Sequence, residues 1–138
     1  MCGMQGNVRV SQPVVFISHF QVMRGGLEGY RRLADQVTQQ LEAEKPRTAA
    51  FLHYLDPAAS RLTIVHVFPN SQAMDSHIEG AGDRSQAALQ YLAPLGWEIY
   101  GPASDEAVAT IREAANAAGV DLVMAAEHLA GFLRLSGS

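Results

Sequence analysis

The chain has 138 residues, 48% of them hydrophobic and 17% charged, which fits one globular domain with a real core and excludes a disordered or coiled-coil protein. Its formal net charge is −4 and no block of Lys or Arg stands out, which argues against a nucleic-acid or membrane-surface partner. Cys2 is the only cysteine, so no disulfide framework exists within the chain, a usage that fits a cytoplasmic protein.

The opening "MCGMQGNVRVSQP" lacks the long apolar segment of a signal peptide, and no apolar run is long enough to span a membrane. Residues 1–12 read as a loose arm before a single domain over 13–138. "PVVFISHFQV" (13–22), rich in β-branched and aromatic residues, predicts strand one. In the stretch that follows, Leu27, Tyr30, Ala34, Val37 and Leu41 recur at helical spacing and predict a helix ended by Lys45-Pro46. "RTAAFLHYL" and "RLTIVHVF" read as strands two and three, and "DPAAS" between them supplies hairpin chemistry. Helix two starts near Asn70, an N-cap candidate, with Gly80 and Gly82 interrupting it before "DRSQAALQYL" resumes and stops ahead of Pro94. "GWEIYG" predicts strand four. Ser104 or Asp105 caps a third helix with Val108, Ile111 and Ala115 inward, and Gly119 ends it. "VDLVMAA" predicts a fifth strand, which "HLAGFLRL" extends with a bulge near Gly131. The order is βαββαβ plus a C-terminal helix and strand, an α+β ferredoxin-like arrangement with an antiparallel sheet and helices on one face.

Strand three offers two sets, Leu62, Ile64, His66, Phe68 and Thr63, Val65, Val67. Strand two offers Ala49, Phe51, His53, Leu55 and Thr48, Ala50, Leu52, Tyr54. None is a clean solvent face, since a half-exposed sheet should alternate polar and apolar. Helices cover only one face, so a second copy of the chain is expected on the other, making a homodimer.

Within "FPNSQAMDSHIEG" (68–80), His77 falls on the face that carries Ala73, Met74, Ile78 and Ala81. It is a catalytic candidate, because an imidazole in an apolar pocket can accept a proton from a phenol or quinol. Pairing Leu55 with Leu62 places His53 opposite Ile64 and His66 opposite Phe51. Both rings then share one face, roughly 7–8 Å apart between Cα positions. His19 lies on a neighbouring strand. Phe51, Phe68 and Met74 would line an apolar cavity as readily as fill it. These six residues are the substrate-binding candidates. No acidic residue or close His spacing supports a metal, and none is expected.

The βαββαβ order, with "VHVFPNSQAMDSH" running from strand three into a helix that bears an inward His, resembles the antibiotic biosynthesis monooxygenase-like group of the dimeric α/β-barrel superfamily. The resemblance covers roughly Val14 to Gly101. It implies a dimeric barrel with a ligand cavity between sheet and helices, and a cofactor-free oxygenase acting on a small apolar or aromatic, quinol-like ligand. Its alternative is a non-catalytic ligand-binding or structural dimer. Haem-degrading members of the group pair the helix-two His with a strand-one Asn and a helix-two Trp. Here strand one offers Ser18 and His19, the only Trp is Trp97, and His77 is the sole match.

Overall fold

The computed structural model describes residues 12–134, so the arm expected at the N-terminus lies almost wholly outside the described residues. Five strands, β1 (Val14–Val22), β2 (Ala50–Asp56), β3 (Arg61–Phe68), β4 (Leu92–Tyr100) and β5 (Asp121–Ala125), form one sheet in the order β2-β3-β1-β4-β5. Pairings are antiparallel except β4 with β5, which is parallel. Four helices connect them: α1 (Leu27–Glu44), α2 (Ser71–Ile78), α3 (Ala81–Ala88) and α4 (Asp105–Ala118). The first four strands make the ferredoxin-like unit, and α4 carries the chain across to add β5 at its edge.

Local chemistry accounts for the element ends. The β2–β3 turn is held by Asp56, whose Oδ1 accepts the Ala58 and Ala59 amides at 3.1 and 3.4 Å. Asn70 Oδ1 accepts the Ala73 amide at 2.9 Å, and Ser104 Oγ accepts the Ala107 amide at 3.1 Å, so both expected N-caps form. Gly119, at φ 70°, closes α4. Gly80, at φ 79°, adopts a left-handed conformation that other residues avoid, and it separates α2 from α3.

Two predicted boundaries move. The helical stretch before Pro94 ends at Ala88, and β4 begins at Leu92, so Pro94 lies inside a strand. The pairing slips there: His19 faces Gly96 while Phe20 faces Pro94, leaving Leu95 as an extra residue. Such a bulge tolerates a residue without an amide N–H. Among the described residues the chain after Ala125 does not extend β5. Leu129 and Phe132 are 88% and 80% exposed there and pair with no strand of the described sheet.

The two faces of the sheet differ. Val14, Phe16, Ser18, Phe20 and Val22 of β1, with Leu62, Ile64, His66 and Phe68 of β3, turn toward the helices. One buried cluster joins Val14, Phe68 and Ile99 to Ala73 and Met74 of α2 and to Ala107 and Ile111 of α4. A second joins Phe20, Val22, Leu62, Ile64 and Leu92 to Tyr30 of α1. Burying each large apolar side chain contributes roughly 1.5–3 kcal/mol. The opposite face has no helix over it among the described residues. It carries Leu52 and Tyr54, 43% and 58% exposed, beside the half-buried Val15, Ile17, Val65 and Val67.

Candidate functional site

A cavity of about 540 Å³ lies between the sheet and the helices, drawing its walls from both core clusters. The hairpin register puts two histidines into its floor. Leu55 pairs with Leu62, His53 with Ile64 and Phe51 with His66, so the His53 and His66 rings leave the sheet on the same side. Asn70 starts α2 at a phase that brings His77 down onto His66. The His77 ring lies 5.2 Å from His66, 5.8 Å from Phe51 and 5.2 Å from Phe68, centroid to centroid.

Each imidazole is anchored through Nδ1. His66 Nδ1 donates to the Phe16 carbonyl at 2.9 Å, which leaves Nε2 of the neutral ring as a bare acceptor. His77 Nδ1 lies 2.9 Å from Thr48 Oγ1, and His53 Nδ1 lies 3.1 Å from the Tyr30 hydroxyl. His53 Nε2 is buried and has no partner among the described residues.

All three rings are held neutral. Burial is the main cause in each case. It lowers His53 below the ordinary imidazole value. It brings His66 down to about 3, with repulsion from His77 adding to it, and His77 down to about 4, with the charges of Arg84 and Lys45 adding to it. Those two cations have a structural reason to be there. Because Gly80 stops α2, the Ser76 and His77 carbonyls of its last turn lack amide partners among the described residues. Lys45 Nζ donates to the Ser76 carbonyl at 2.7 Å, and Arg84 Nη2 donates to the His77 carbonyl at 2.6 Å. Desolvation in turn lowers the Arg84 pKa. Burial raises the Tyr30 phenol, which keeps it a neutral hydrogen-bonding group.

Of the predicted site residues, His53, His66, His77 and Phe51 meet at this cavity. Phe68 and Met74 do not line it. Both are fully buried in the core cluster, where α2 seats against Val14 and Ile99. His19 is on the wrong face to join them, one residue out of phase with Ser18 and Phe20. It pairs there with the Glu98 carboxylate, which also accepts the Tyr100 hydroxyl, and its Nδ1 is 3.5 Å from Thr63 Oγ1. The Tyr100 and His19 bonds hold the Glu98 carboxyl below its usual range. Among the described residues no three His, Cys, Asp or Glu side chains converge as a metal site requires.

Sequence reasoning missed Tyr30, Thr48, Arg84, Trp97 and the α4 wall around Thr110 and Ala114. One signal was available: His77, Ala81, Arg84 and Ala88 fall at helical spacing, so Arg84 shares the inward face despite the break at Gly80.

No known family model and no curated protein sequence matches the chain. Solved structures do. MupZ from Pseudomonas fluorescens superposes with a TM-score of 0.66 at 14% identity, over 91% of this chain and 97% of that one. A candidate antibiotic biosynthesis monooxygenase from Caulobacter crescentus CB15 gives 0.58 at 10% identity, over 67% and 92%. Another, from Deinococcus radiodurans, gives 0.51 at 17% identity, over 62% and 86%. The span shared with MupZ is too long to leave out α4 and β5 altogether. The chain thus has the ferredoxin-like fold of the antibiotic biosynthesis monooxygenase-like proteins, with a helix and a strand added after the core.

Proposed function

We propose that the protein is a homodimer whose cavity binds a small aromatic or quinone-like molecule, with His77 as base or orienting group in a cofactor-free oxygenation. The observation that carries this reading is the convergence of three neutral imidazoles on one cavity that is otherwise mostly apolar and aromatic. A neutral His77 accepts a proton from an acidic C–H or O–H of the ligand. The resulting anion is electron-rich enough to react with dioxygen. For an activated CH2 group, one oxygen atom stays on carbon as a carbonyl, and the other leaves as water with the two hydrogens. Oxygen uptake with a panel of quinols and naphthols tests it. Wild type should consume oxygen with at least one of them and His77→Ala should not; equal rates for the two proteins would discard the catalytic role.

A second reading, ligand binding without chemistry, is favoured by the same ring. A His77 held down to about 4 is a weak base in the empty cavity, though still a good hydrogen-bond acceptor. Binding of the panel compounds with no oxygen consumption would support it.

The homodimer is supported by the uncovered sheet face, where Leu52, Tyr54 and Val123 remain exposed. Light scattering at micromolar concentration should return twice the chain mass. A monomer would remove this part of the proposal.

A further inference from the structure

Among the described residues Arg84 is the only formally charged side chain lining the cavity, and no carboxylate lines it. No ion pair among the described residues involves it. Its one hydrogen bond among the described residues, to the His77 carbonyl, uses one of five N–H donors. Glu44 offers Arg84 an opposite charge, but from beyond ion-pair distance. A half-buried guanidinium against apolar walls, with donors to spare and no carboxylate in direct contact, is incompletely satisfied. Capping one carbonyl does not call for a guanidinium, since Lys45 does the same for Ser76 with an ammonium. What the planar fork adds is two parallel donors matched to a carboxylate. We propose that Arg84 recognises a carboxylate on the cavity's ligand, so that the ligand class is a small aromatic acid held with its ring against the sheet and its anion against α3.

The inference rests on the cavity binding an aromatic molecule, as proposed above, and adds what that molecule must carry. It also couples recognition to His77. Arg84 depresses the basicity of that ring, and a carboxylate paired with the guanidinium offsets the effect, so the acid would make the histidine a better base as it binds.

Isothermal titration of the full chain with 2-naphthoate and with 2-naphthamide, its neutral counterpart, tests the proposal. Quenching of Trp97, the only tryptophan and a cavity residue, reports where each probe binds. Wild type should prefer the acid by about tenfold or more, the scale of one charge-assisted hydrogen bond. Arg84→Gln should lose that preference while keeping its amide affinity within about twofold. Arg84→Lys, which keeps the charge, should retain part of the preference. Its retention would separate lost recognition from damage to the α2 end, and unchanged amide binding by Arg84→Gln shows that the cavity is intact. Equal affinities in wild type, or a preference that survives in Arg84→Gln, would overturn the role of Arg84 and leave the aromatic cavity standing. Failure of both probes to bind wild type would bring down both.

Discussion

The imidazoles of His66 and His77 meet edge to face, 5.2 Å between centroids and 82° between planes, so two rings that would repel each other if charged share one wall. Their ordinary value is about 6.5, and the fold brings them down to about 3 and about 4. In the unfolded chain they take up protons as pH falls through 6.5, while the folded protein does not. Stability therefore stays whole above 6.5 and drains away below it, at roughly 1.4 kcal/mol per pH unit for each ring, until the folded values are reached. Urea denaturation between pH 7.5 and 4.5 should show this slope, and His77→Phe should reduce it. A flat profile from pH 7 to 5 would contradict the buried, neutral assignment.

Removing a cation beside His77 should raise its titration toward the ordinary value. Arg84→Gln should move it more than Lys45→Met does, following the order of their influence on the ring. NMR titration of the imidazole protons reads this out. No movement in either variant would assign the whole depression to burial.

Phe68 and Phe51 separate core from cavity wall. Phe68 is fully buried in the cluster that joins α2 and α4 to the sheet, whereas Phe51 is half-buried and faces the cavity. Phe68→Ala should cost about 3–5 kcal/mol in chemical denaturation. Phe51→Ala should cost distinctly less and change ligand binding instead. Similar losses for the two would mean that the cavity is packed as tightly as the core.

The uncovered sheet face should tolerate charge in a monomer and reject it in a dimer. Leu52→Glu on β2 removes no helix contact, so the circular dichroism spectrum should stay native while sedimentation shifts to the monomer mass. A variant that sediments as wild type does would move the interface elsewhere.

Patterns within one or two elements were legible in the sequence. The whole of β3, the pairing of His53 with Ile64 and of Phe51 with His66, the Asn70 cap and the break at Gly80 follow from alternation, turn chemistry and left-handed backbone, which are local. The facing of His19 is not local. Both sets of β1 side chains are apolar enough to be buried, so only the pairing with β3 and β4, bulge included, decides which set meets the helices. Pro94 read as a stop because its missing amide penalises a regular strand, and the bulge that accommodates it depends on the neighbouring strand. Phe68 and Met74 could fill a core or line a hollow with equal ease, and the choice is made by where α4, far along the chain, comes to rest. Arg84 drew no role from the sequence because each half of the broken helix is too short to show a stripe alone.

Gly80 does not itself line the cavity, yet it decides the field inside it. Had the helix run on unbroken, amides one turn ahead would have taken up the carbonyls of Ser76 and His77, and Lys45 and Arg84 would have had no reason to gather there. A single backbone torsion thus acts as a dial on the protonation of a ring three residues away. A residue that straightened this point could retune the chemistry of the hollow without altering any side chain that a ligand meets.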